Sequence, residues 1–322
     1  METIVNVILP VFGLVAIGFI TGRPPLFQAD FARSLSNFIF YLALPCLLFR
    51  SMAARGLPHG DELNLMAAYY LALTVLMLGS FLYARQVHRE SLAGAATLML
   101  GASFSNTVLV GVPLILAAYG QAGLQQMLLL VTCHSAYLLG GATVLAEASR
   151  AAQGGAGFLR ITMQTAGALA RNPVIVSILA GLAFGSVGGT IPVPLDNIIR
   201  MLGDAAVPCS LFALGASLVG LEARGLLGRT SMMVVAKLLV LPALVFVSGR
   251  YIFDLPPLTL AVAVTTASLP SGMNVFLFAQ RYQTLVSPVA SATLLTTLLS
   301  ALVTGLIIEY FRAATVVPLL HG

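Results

Sequence analysis

The sequence predicts an all-α polytopic membrane protein: ten transmembrane helices forming two inverted five-helix repeats, with helices four and nine broken. Three observations predict it. The 322 residues are 59% hydrophobic and 8% charged, with a mean hydropathy of +0.98, whereas a soluble domain carries about a quarter charged residues. Charges and Pro/Gly turns cut the chain into apolar stretches of membrane-spanning length. Motifs of the first half return in the second at a nearly constant offset. A chain this apolar cannot hide its surface from water, which excludes cytosolic enzymes and nucleic-acid binders. The net charge of +5 comes from basic residues scattered between apolar runs, without the clustering a nucleic-acid partner needs.

A helix needs about 20 apolar residues to cross a bilayer. Stretches of that kind run roughly over 3–22, 33–53, 63–84, 91–119, 124–146, 172–190, 203–221, 230–250, 256–280 and 284–310. The first holds Pro10 and Gly13 without a basic leader, and reads as a span and not a cleaved signal. No residue between Glu90 and Glu147 carries a formal charge, so that stretch holds two spans joined by a tight turn near Gly120. The longest polar connection, 147–171, is a linker between a first repeat, 1–146, and a second, 172–322. Cys46, Cys133 and Cys209 sit singly in apolar runs. They read as small buried side chains, neither a disulfide framework nor a zinc site.

Lys and Arg in alternate connections set the orientation. Arg23, Arg33, Arg85, Arg89, Arg150, Arg160, Arg171, Arg224, Arg229 and Arg281 fall on one side, against Arg50, Arg55, Arg200, Arg250 and Arg312 on the other. This bias predicts a cytoplasmic linker and periplasmic termini in a bacterial inner membrane.

The repeat shows in two places. Pro45-Cys46-Leu47-Leu48-Phe49 returns 163 residues later as Pro208-Cys209-Ser210-Leu211-Phe212, and Gly111-Val112-Pro113 returns 161 residues later as Gly272-Met273-Asn274. Five spans per repeat is odd, so the halves cross the membrane in opposite senses, the signature of alternating-access carriers. Span four reads Ser103-Phe104-Ser105-Asn106-Thr107 before Gly111 and Pro113; span nine reads Ser268-Leu269-Pro270-Ser271-Gly272-Met273-Asn274. Proline and glycine disfavour helix there. Freed backbone groups survive in hydrocarbon only beside protein or a water-filled cavity. The alternative is two simple proline kinks, but the repeat-equivalent placement, with an asparagine near each, favours paired broken helices crossing near the centre.

The segments Ser105–Leu114 (SNTVLVGVPL), Ala170–Pro173 (ARNP), Leu202–Leu218 (LGDAAVPCSLFALGASL) and Ser268–Ala279 (SLPSGMNVFLFA) resemble the auxin efflux carrier family, which includes bacterial malate or malonate permeases and plant PIN auxin exporters. The resemblance covers essentially the whole chain. Its most specific element is Asn106, Gly111 and Pro113, and the short linker fits the bacterial branch. It implies a scaffold and a transport domain, each drawn from both repeats. Spans four and nine would cross as broken helices, as in bile-acid symporters and sodium/proton antiporters. It further implies carriage of organic anions and a homodimer through the scaffold domain.

Asn106 donates and accepts hydrogen bonds without charge, which suits a carboxylate inside a membrane; otherwise it caps broken backbone. Thr107, Ser271, Gly272 and Asn274 share the breaks, and Pro113 and Pro270 would expose half-helix N-termini that attract anions. Asn172 before Pro173 reads first as a helix cap, with a binding role implied by the resemblance. Asp204 either handles a coupling proton or cation or starts a helix at the interface. Lys237, near the middle of span eight, either pairs with a carboxylate such as Asp204 or the substrate, or lines a solvated cavity. His134 has a pKa suited to proton coupling, but a lone histidine is more often a packed side chain.

The expected function is a secondary active transporter of small organic anions, carboxylates such as malate, malonate or auxin-like acids. The expected partners are that anion, a proton or sodium ion in coupling, and lipid. No metal or cofactor is expected. The rivals are a cation/proton antiporter of the same architecture, which needs a buried carboxylate at the break, and an anion channel. The sequence lacks HExxH, GxSxG and paired carboxylates on one helix face, so no enzyme is expected.

Overall fold

The computed structural model describes residues 7–22, 26–27, 30–54, 60–151, 163, 167, 171–219 and 227–316. Both chain ends and most of the predicted linker 147–171 lie outside the described residues. Among the described residues every regular element is helical: α1 (Leu9–Thr21), α2 (Phe31–Phe38), α3 (Leu44–Ala53), α4 (Gly60–Gln86), α5 (Leu92–Ser103), α6 (Val112–Ala151), α7 (Pro173–Ser186), α8 (Val193–Asp204), α9 (Ala206–Ser217), α10 (Leu227–Val235), α11 (Leu241–Val247), α12 (Pro257–Ala267), α13 (Met273–Tyr282) and α14 (Val286–Val316). Among the described residues six continuous helical runs are long and apolar enough to cross a membrane: Phe31–Ala53, Glu62–Gln86, Thr107–Ala148, Val193–Ser217, Gly228–Ile252 and Val286–Ala313. Leu9–Thr21, Leu92–Ser103, Pro173–Ser186 and Pro257–Ala267 are apolar but shorter. Gly120, with φ 65° and ψ −161°, breaks α6 where the sequence predicts a turn.

Among the described residues four complete helical turns widen; one is Ser248–Ile252, and the other three each end two residues before a proline. Ile39–Ala43 precedes Pro45, Thr107–Gly111 precedes Pro113, and Ala236–Val240 precedes Pro242. Proline has no N–H for the carbonyl four residues back, and its ring crowds that carbonyl. A wide turn with i→i+5 bonds, seen from Leu44 N–H to Ile39 and from Leu241 N–H to Ala236, relieves both conflicts. Such bulges are frequent at functional sites.

The chain divides into two compact units, each with segments from both halves of the sequence. Unit 1 comprises Met1–Leu63, Val108–Thr132 and Ala170–Gly220. There α1 packs on α9, and α3 packs on α7 and α8. Small residues permit the approach, as expected of helices in lipid. A Cβ on Gly18 would collide with the Phe212 carbonyl, one on Gly215 with the Val15 carbonyl, and one on Gly181 would lie 2.5 Å from the Phe49 carbonyl. Arg50 grips Asp196 through two hydrogen bonds of 2.7 and 3.2 Å.

Unit 2 comprises Asn64–Thr107, Cys133–Leu169 and Leu221–Gly322. Its centre is formed by α5 and α12, buried from Gly94 to Ser103 and from Thr259 to Ala267. Helices α10 and α13 pack on α5, and α11 and α14 on α12. The half-buried pair Arg229–Glu90 (2.5 Å) and the Thr97–Thr284 hydroxyl contact (2.6 Å) tie this unit further. All three cysteines are free. They are less buried than the sequence suggests: Cys46 and Cys209 are half-buried and Cys133 is exposed.

Candidate functional site

The two helix breaks that the sequence marks meet inside unit 2. Helix α5 stops at Ser103, where Phe104 turns to extended backbone (φ −75°, ψ 114°). Helix α12 stops at Ala267, and α13 begins after an extended Gly272 (φ −80°, ψ 150°). Pro270 removes a helical donor, while Ser105 and Asn106 are residues whose short polar side chains compete with helical backbone bonds. The freed strands then pair: Ser105 and Ser271 form an isolated antiparallel bridge. Asn106 N–H donates to the Pro270 carbonyl at 2.8 Å, and Gly272 N–H to the Phe104 carbonyl at 3.3 Å. Glycine is required at 272 because a Cβ would come within 2.8 Å of the Phe104 ring.

Further backbone groups at the breaks are satisfied by side chains of neighbouring helices, as a site without bulk water demands. Ser105 N–H donates to His134 Nε2 at 3.2 Å, and Ser271 N–H to Thr296 Oγ1 at 3.1 Å. The Thr304 hydroxyl donates to the Ser268 carbonyl at 3.1 Å. Lys237 Nζ donates to the Ala267 carbonyl, the last of α12, at 2.5 Å. Because Nε2 accepts, a neutral His134 carries its proton on Nδ1, an atom with no hydrogen-bond partner. Lys237 is fully buried and His134 is 1% exposed.

The site residues predicted from sequence therefore separate. Asn106, Thr107, Pro270, Ser271 and Gly272 are buried together at the bridge, and Asn274 follows on the exposed side of the first turn of α13. His134 and Lys237 support the same bridge from α6 and from the wide turn before Pro242. Pro113, Asn172 and Asp204 belong to unit 1. Pro113 follows the wide turn Thr107–Gly111. Asn172 caps α7, its side chain accepting from Val174 N–H at 2.9 Å. Asp204 does not start a helix: the run begins at Val193. It lines a cavity of about 480 Å³ together with Arg50, Arg200, Asp196, Gln121 and Gln125.

Sequence reasoning missed Thr296 and Thr304, whose signal is a stripe of hydroxyls at Thr293, Thr296, Thr297, Ser300 and Thr304 on one face of an apolar helix. It also missed the buried Glu147, which accepts a 2.8 Å hydrogen bond from the Tyr282 hydroxyl. Nothing in the sequence pairs those two residues, which are 135 positions apart.

A family model described as "Membrane transport protein" matches residues 3–308. The chain belongs to this family, the auxin efflux carriers. Its relatives agree in kind. A Rhizobium meliloti (strain 1021) protein named "Putative malonate transporter" is 30% identical over 315 residues, covering 95% of this chain and 96% of that one. An uncharacterized transporter of Methanocaldococcus jannaschii is 24% identical, with 94% and 96% covered. The mouse "Lysosomal cholesterol signaling protein" is 29% identical over 74% of this chain but only 29% of its own length. This member of the auxin efflux carrier family is thus a membrane transporter and not an enzyme.

Proposed function

We propose that the protein is a secondary active transporter of small organic anions, dicarboxylates of the malonate type, working by alternating access with its substrate bound at the bridge in unit 2. One observation carries this reading: the paired breaks at Phe104–Asn106 and Pro270–Gly272. Two helices restart there beside Asn106 and Thr107, and the N-terminal end of a helix is an anion site in waiting. The name of the Rhizobium relative supports malonate as the first substrate to test.

The same reading makes the chain ten spans in two inverted repeats, with four and nine as the broken pair. The support is a matched division of labour. His134 on one repeat accepts from Ser105 N–H, and Thr296, 162 residues later, accepts from Ser271 N–H on the other. Unit 2 would be the transport domain and unit 1 the scaffold, with the homodimer formed through the scaffold. The neutral bridge residues disfavour the cation/proton antiporter, which needs a carboxylate there.

Two measurements test this. Hydrogen bonds to a charged partner are worth about 1.5–3 kcal/mol, so Asn106→Ala is expected to weaken malonate binding by about ten- to a hundredfold without unfolding the protein. Titrations by thermal shift on both purified proteins decide; equal affinities move the site away from the bridge. Topology is checked separately. Single cysteines at His88 and Asp254 should label from opposite faces of the membrane, the first cytoplasmic, and labelling from one face removes the inverted repeat.

A further inference from the structure

We propose that Lys237 is a built-in cation for this carrier: its ammonium holds the C-terminal end of the half-helix α12 and supplies the positive charge that makes the bridge an anion site, in place of a coupling sodium ion. The inference rests on the anion-transporter reading above and extends it to coupling and charge selectivity.

The end of a helix carries a partial negative charge on its unpaired carbonyls, and a cation is favourable there. In α12 that end is buried, since Ala267 and Ser268 are 0% exposed. Lys237 is equally buried, and its Nζ donates to the Ala267 carbonyl. Among the described residues no carboxylate lies within ion-pair distance of it; Asp196, Glu90 and Asp254 pair with Arg50, Arg229 and Arg250 instead. A buried charge is costly unless compensated. One helix end offsets only part of a full charge, so a net positive site is left beside the bridge. An ammonium has three N–H donors, and the described hydrogen bonding uses one.

The local backbone aims the residue. Pro242 forces the wide turn Ala236–Val240, and Lys237 is its second residue. From that turn the side chain reaches the end of α12. The device is not symmetric. The stretch one repeat earlier, around Thr74, carries no charge, and the Thr74 hydroxyl contacts the Tyr70 carbonyl and the Tyr137 hydroxyl instead. A purely structural cap would be expected in both halves; a charge is needed once.

The test uses the full-length protein in detergent and in liposomes. Lys237→Gln keeps a donor for the Ala267 carbonyl but removes the charge, and Lys237→Arg keeps the charge. Malonate and acetate are titrated against each by thermal shift, in sodium chloride and in choline chloride. Wild type is expected to bind malonate equally in both salts. Lys237→Gln should lose about tenfold or more in malonate affinity and distinctly less for the singly charged acetate, because a Coulomb interaction scales with ligand charge. Lys237→Arg should restore malonate binding. Equal losses for both ligands would reduce Lys237 to a structural cap. A sodium requirement in wild type, or unchanged malonate affinity in Lys237→Gln, would overturn the inference while leaving the anion site standing. Absence of carboxylate binding by wild type would instead overturn the transporter reading, and this inference with it.

Discussion

Gly215→Leu is expected to leave little folded protein. Gly215 and Gly18 face opposite helices across the α1–α9 contact, and at each position a Cβ would overlap a backbone carbonyl oxygen, of Val15 and Phe212 respectively. A flexible side chain could turn aside, but a backbone oxygen cannot without moving its helix. Overpacking a tight core costs about 1–3 kcal/mol for added methylenes, and here the first added carbon already forces the helices apart. Association of helices in lipid rests on close packing, since lipid and leucine are equally apolar. Gly215→Ala should therefore lower the melting temperature clearly, Gly18→Ala similarly, and Gly215→Leu should abolish the monodisperse peak in detergent. Gly79→Ala and Gly140→Ala are the controls: nothing lies within 4 Å of either added Cβ. Alanine is there the better helix former by about 1 kcal/mol, so both controls should melt at or above wild type. Comparable melting of Gly215→Ala and the controls would refute the close crossing.

Gly181 and Gly215 sit among other small residues in apolar runs, and both are close-contact positions in unit 1. Effects on a residue's own backbone, such as those of Pro270, Gly272 and Asn106, were legible in the sequence. Roles that depend on a distant partner were not. Lys237 was read as an ion-pair candidate for Asp204, but a carbonyl partner can be any residue and leaves no trace in composition; the observed one is Ala267. Asp204 reads as a helix start because it falls at the beginning of an apolar run, where a negative charge is favourable at an N-terminal helix end, yet the helical run begins at Val193. Tertiary packing overrides such weak local signals. The wide turns belong between these cases. Their cause, a proline inside a span, is visible, but whether the helix kinks or widens depends on the space its neighbours leave.

The supports of the bridge should fail in a correlated way. Thr296→Val is nearly isosteric and removes the acceptor for Ser271 N–H together with a local 3.2 Å donation to the Thr293 carbonyl, leaving a buried donor unpaired at a cost of about 1–3 kcal/mol. His134→Ala does the same to Ser105 N–H and also empties the volume of an imidazole packed against Phe104 and Tyr69, so it should cost more. Thr296→Ser and His134→Gln, which return an acceptor, should recover part of each loss. Because Ser105 and Ser271 pair with each other, releasing one strand loosens the other. The double variant should then lose less than the two single losses added together, as groups acting on one element do. Thermal melts of the five proteins against wild type measure this cycle. Strict additivity would mean that the two side chains stabilise separate places, and that the bridge is not the single structural unit on which the substrate site depends.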